Sequence, residues 1–89
     1  MNIPLEVTLS MDPDVLTEEG RRLGKQFFIE VITARICALL PLCGSLGHAV
    51  TLAVDSALAP YKNAPVLLRF NSYPAEDCVC LYIELELPE

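Results

Sequence analysis

Every second residue from Val79 to Leu87 is aliphatic. Val79, Leu81, Ile83, Leu85 and Leu87 alternate with Cys80, Tyr82, Glu84 and Glu86, and Cys78 extends the second set. A period of two marks a strand with one buried face, so residues 78–87 are predicted to be a strand. A similar pattern places Ile3, Leu5, Val7 and Leu9 opposite Glu6, Thr8 and Ser10, predicting a strand over 3–10. Over 65–71, Val66, Leu68 and Phe70 alternate with Leu67, Arg69 and Asn71. The segment "SYPAED" that follows reads as a turn, so 65–71 and 78–87 form a hairpin.

Between the first two strands the period becomes helical. Asp12 with Pro13, and then Thr17 ahead of Glu18 and Glu19, supply caps and first-turn acids. Leu23, Phe27, Val31 and Ala34 form one apolar stripe, and Phe28, Ile32 and Ile36 form a second beside it. A helix so broadly apolar is covered on more than one side. It is predicted near 15–40, ended by Pro41 and Gly44. "HAVTLAVDSALA" fits either period. Its alanines, the cap offered by Ser45 and the stop offered by Pro60 favour a helix near 46–59.

The order β-α-α-β-β predicts one α+β domain over residues 1–89. The architecture is a two-layer sandwich: a mainly antiparallel sheet of three strands with two helices on one face. A fourth strand enters only if 46–59 is extended (β-α-β-β-β). The covered face carries Leu5, Val7, Leu68, Phe70, Leu81, Ile83 and Leu85.

Size changes this picture. A chain of 89 residues buries roughly 60–65% of its unfolded surface, yet 53% of its residues are hydrophobic. Self-association is one way to cover such an excess. Two surfaces qualify for a two-fold dimer. One is the outer helix stripe, with Phe28. The other is the sheet's outer strip of Leu67, Arg69, Cys78, Cys80, Tyr82 and Glu84.

Charge narrows the partners. Twelve acids against six bases leave −6, which disfavours phosphate backbones and anionic lipid and favours a basic protein. Residues 36–54 carry no formal charge, but Pro41, two glycines, His48, Ser45 and Thr51 interrupt them, so a soluble domain is expected rather than a membrane span. No secretory leader is visible in "MNIPLEVTLSMDPD", and a reduced, cytoplasmic setting is expected.

The four cysteines and one histidine invite a zinc site. Cys37 and Cys43 are six apart near a helix end, and Cys78 and Cys80 lie inside a strand rather than around a turn. Neither spacing makes a zinc knuckle, so the expectation is four reduced thiols, no structural metal and no cofactor. Ser45, His48, Asp55 and Cys43 have the residue types of a nucleophilic site, but closeness in sequence does not supply the geometry. No catalytic site is expected.

"GSLG" resembles the GxxG loop of KH domains, which lies between two helices in the order strand, helix, GxxG, helix, strand. The segment "GSLGHAVTLAVDSALAP" is similar to the second helix of Alba-like proteins, small α/β nucleic-acid binders. The resemblance implies a nucleic-acid or anion site at Gly44, Ser45, Gly47 and His48, although the turn lacks the basic residues of KH loops. The favoured expectation is a small acidic, non-enzymatic protein-interaction module, an inhibitor or masking protein for a basic, nucleic-acid-handling partner. The GxxG binder is the alternative.

Overall fold

The computed structural model describes residues 4–63 and 65–88. In chain order it has strand β1 (Leu5–Met11), a 3-10 turn at Pro13–Val15, helices α1 (Glu18–Leu23), α2 (Lys25–Cys43) and α3 (Leu46–Leu58), and strands β2 (Leu67–Pro74) and β3 (Val79–Glu86). This is the α+β order expected, with residues 46–58 helical. Ile3, assigned above to the first strand, lies outside the described residues.

The sheet order is β1-β3-β2. The predicted hairpin is present: β2 pairs antiparallel with β3, Leu68 opposite Leu85 and Phe70 opposite Ile83. β1 runs parallel to β3, with Leu5 opposite Val79 and Leu9 opposite Ile83, so the sheet is mixed. The reason is the element count. Each of α2, α3, β2 and β3 reverses the chain, and four reversals return β3 to the direction of β1. The segment expected to be only a turn begins later than predicted: β2 continues to Pro74, and the reversal is closed by Ala75 N–H donating to the Cys78 carbonyl at 2.8 Å.

One helix was expected over 15–40; two are present. Thr17 caps α1, its hydroxyl accepting from Gly20 N–H at 3.2 Å. The break follows at Gly24, whose φ of 86° and ψ of 159° lie in a region open essentially to glycine alone. At the other end Pro41 does not stop α2. It sits in the last turn on an exposed side, where water can take the hydrogen bond its missing N–H denies. Gly44 ends the helix instead, in the left-handed conformation (φ 74°), its N–H donating to Leu40 O. Ser45 then caps α3 by accepting from His48 N–H at 3.3 Å. The chain after α3 is tied back to the 3-10 turn, with Thr17 N–H on Tyr61 O and Asn63 N–H on Val15 O.

Between the layers, Phe28, Ile32 and Ile36 of α2 and Val50, Ala53 and Ala57 of α3 meet Leu9, Leu81, Ile83 and Leu85, all nearly or fully buried. Leu5, Val7, Leu68 and Phe70 pack around them, so the predicted inner face of the sheet is the observed one. Burying aliphatic side chains at about 1.5–3 kcal/mol each is the main force holding the layers together. Among the described residues no polar or charged residue is buried.

Candidate functional site

Pleating sends the other half of each strand outward. On that face the register makes three rows: Glu6–Cys80–Tyr73, Thr8–Tyr82–Asn71 and Ser10–Glu84–Arg69. Leu67 lies opposite Glu86 at the end. Among the described residues no helix covers this face. Leu67 and Tyr73 are exposed, while Cys80, Tyr82 and Glu84 on the central strand are half-buried by their neighbours. Among the described residues of this face, Glu6, Glu84 and Glu86 accompany one cation, Arg69, and the exposed Glu76 and Asp77 follow β2. The surface is acidic with an aromatic centre.

Six of the residues expected at an interface therefore share one face: Leu67, Arg69, Cys78, Cys80, Tyr82 and Glu84. Phe28 does not join them and is not a surface residue at all. It is fully buried, with its ring edge-on to Phe27 (5.2 Å between centroids) and Tyr61 (5.7 Å). The two helix stripes were assigned the wrong way round in choosing Phe28. The Phe28–Ile32–Ile36 stripe faces the core, and the Leu23–Phe27–Val31–Ala34 side looks outward or along the seam.

The outer surface of the helix layer differs from that of the sheet. α2 has nineteen residues, eighteen of them forming a stretch of mean hydropathy 1.6, long and apolar enough by length and composition to cross a membrane, yet only Phe28, Ile32 and Ile36 are buried. In its second half Ala34, Cys37, Ala38, Leu40, Pro41 and Leu42 are exposed, Leu42 by 83%. Leu52, midway along α3, is exposed as well. Arg35 is the one formal charge in this half of α2, and its guanidinium donates to Ser56 Oγ at 3.2 Å.

The third feature is the corner where β1 meets the start of β3. Cys78, just ahead of β3, and Cys80 within it bring their sulfurs 3.9 Å apart. The parallel ladder sets Glu6 across from Cys80, and Cys78 Sγ lies 3.8 Å from Glu6 Oε2. The hydrogen bond with Cys80 raises the Cys78 thiol above its ordinary pKa, and partial burial and electrostatic interaction with Cys80 and Glu6 add to the shift. Glu6 was not among the expected site residues, since alternation places it on a face but not beside a given partner.

The GxxG turn is where the resemblance placed it, between α2 and α3, but half of it is consumed by structure. Gly44 is the end of α2, and the hydroxyl of Ser45 and the amide of His48 satisfy each other. His48 is exposed, and no Lys or Arg lies between Ile36 and Val54. Two shallow grooves among the described residues are small. One, of about 170 Å³, lies between Val54, Asp55 and Leu58 of α3 and Lys62, Val66 and Leu68; the other, of about 240 Å³, lies beside Met11, Leu16 and Arg21. Both fall below the roughly 300 Å³ at which small-molecule sites begin. Comparison with protein families, with curated proteins and with solved structures finds no match for this chain.

Proposed function

We propose that the chain is a small non-enzymatic protein-interaction module that pairs with itself through the helix layer and offers its sheet face to a basic partner. The observation behind this reading is that both outer faces of the sandwich are bare and opposite in character. A two-fold dimer sets a surface against its own copy. The sheet face would bring Glu6, Glu84 and Glu86 against the same three carboxylates, and like charges across an interface cost several kcal/mol. The helix layer has no such conflict at Leu40, Pro41, Leu42 and Leu52, which are uncharged. The sheet face, with Tyr73 and Tyr82 among carboxylates, is suited instead to Lys- and Arg-rich protein, as in an inhibitor or mask for a nucleic-acid-handling protein.

Light scattering at micromolar concentration is expected to give the mass of two chains, and Leu40→Glu with Leu42→Glu the mass of one folded chain. A wild-type mass of one chain removes the self-pairing. Flotation with neutral and anionic vesicles tests lipid as the cover of α2, with no binding expected from a chain of this charge. Crosslinking in the host, followed by mass spectrometry, is expected to capture a basic protein with wild type and to lose it with Tyr82→Arg and Glu84→Lys. Retardation of nucleic acid at low salt, with a steep salt slope, would favour the Gly44–Gly47 site instead.

A further inference from the structure

Among the described residues, the ligand atoms of Glu6, Cys78 and Cys80 all lie within 4.8 Å of one another. We propose that they form a surface site for one soft divalent cation of the zinc class, with a fourth position open to solvent.

Geometry is the first argument. Zinc holds thiolate sulfur at about 2.3 Å and carboxylate oxygen at about 2.0 Å, so the edges of its tetrahedron are about 3.8 Å between sulfurs and about 3.5 Å from sulfur to oxygen. The observed separations are 3.9 Å between the cysteine sulfurs and 3.8 Å from Cys78 Sγ to Glu6 Oε2. A shift of a few tenths of an ångström in side chains at the surface completes three corners.

Rigidity is the second. Glu6 and Cys80 sit on paired strands, and Cys78 immediately precedes β3. The parallel ladder sets Glu6 beside Cys80, and Val79 N–H, between the two cysteines, donates to Pro4 O at 3.0 Å. Little ordering remains for the cation to bring about.

Chemistry is the third. Two thiolates favour zinc, cadmium or cobalt(II) over magnesium or calcium, which prefer oxygen alone. Binding releases one proton from each thiol to solvent. The entering charge of +2 then meets two thiolates and a carboxylate. This site differs from the knuckle that the cysteine spacing excludes, because its third ligand comes from another strand. It is also not structural: the aliphatic core lies on the opposite face of the sheet.

Titration of the reduced protein with cobalt(II) tests the assignment. The expected result is a thiolate-to-cobalt charge-transfer band that saturates at one metal per chain and disappears on addition of zinc(II). Cys78→Ser and Cys80→Ser should each abolish it, with circular dichroism unchanged. Glu6→Gln should weaken binding by at least about tenfold, the lower end of what losing even an outer-shell partner costs. A Cys37→Ser, Cys43→Ser double variant should bind as wild type does. Absence of a band, or a band that survives loss of Cys78 and Cys80, overturns the site. Unchanged affinity in Glu6→Gln overturns the three-ligand assignment and leaves only a thiol pair.

Discussion

The two outer faces of this domain sit on layers that share one core, yet they solve the problem of exposure differently. On the sheet, strict alternation delivers carboxylates, hydroxyls and tyrosines to solvent while Leu81, Ile83 and Leu85 stay buried. On α2 no comparable separation exists. Phe28, Ile32 and Ile36 go inward, and the residues left outside are still mainly alanine, cysteine, proline and leucine. A face with sparse, like charges tends to be read by an opposite charge. A face with a single charge, Arg35, among apolar side chains is the kind that meets another apolar surface.

That contrast can be broken in four places. The largest effect is expected where inner and outer assignments are exchanged. Leu81→Asp, Ile83→Asp or Phe28→Arg places an unpaired charge in the core, at a cost of several kcal/mol, comparable with the whole stability of a small domain. Circular dichroism should show these chains unfolded; a folded Phe28→Arg would mean that the α2 stripes are reversed. A smaller loss, about 1–3 kcal/mol, is expected for Gly24→Ala, which puts a side chain on a backbone conformation reserved for glycine. A melting temperature equal to wild type would indicate that α1 and α2 readily fuse into the single helix that the periodicity suggests. Glu84→Lys and Glu86→Lys sharpen the comparison: each should change stability by about 0.5 kcal/mol or less while making the sheet face much less acidic. Denaturant melts equal to those of the Leu81 and Ile83 variants would place the glutamates in the core instead. The smallest effect on the folded chain is expected from Leu42→Glu, at a side chain 83% exposed. Thermal melting extrapolated to low protein concentration should leave it unchanged, whereas sedimentation should report a weaker dimer.

How much of this was legible in the sequence depended on whether the signal was local. Strand alternation identified the inner and outer residues of β1, β2 and β3, and the caps at Asp12, Thr17 and Ser45 marked real boundaries. The helix over 46–58 was legible from alanines and a cap despite a competing alternation. The break at Gly24 was not, because a glycine inside an apolar period looks the same whether its φ is negative or positive. Nor was the overrun past Pro41, which rests on solvent access to one carbonyl. Choosing between the α2 stripes failed because both are apolar; only the position of the sheet separates Phe28 from Phe27. Glu6 was missed for a related reason. Its meeting with Cys78 and Cys80 depends on β1 lying parallel to β3, a pairing across nearly the whole chain that no nearby residue announces.

The strand order has a consequence in time. β3 is the central strand and follows the other elements of the described residues, so β1 waits for its neighbour through the synthesis of everything between them. The helical hairpin of α2 and α3 is local and can close early. The sheet cannot nucleate from its own start, since Leu5 pairs with Val79. Contacts so distant in sequence slow folding, because a long loop must be closed before any pairing repays it. During that interval the inward stripes of β1, α2 and α3 are uncovered together with the apolar outside of α2. The nascent chain is therefore at its stickiest just before β3 emerges, and a chaperone or the chain's own partner would be of most use at that moment.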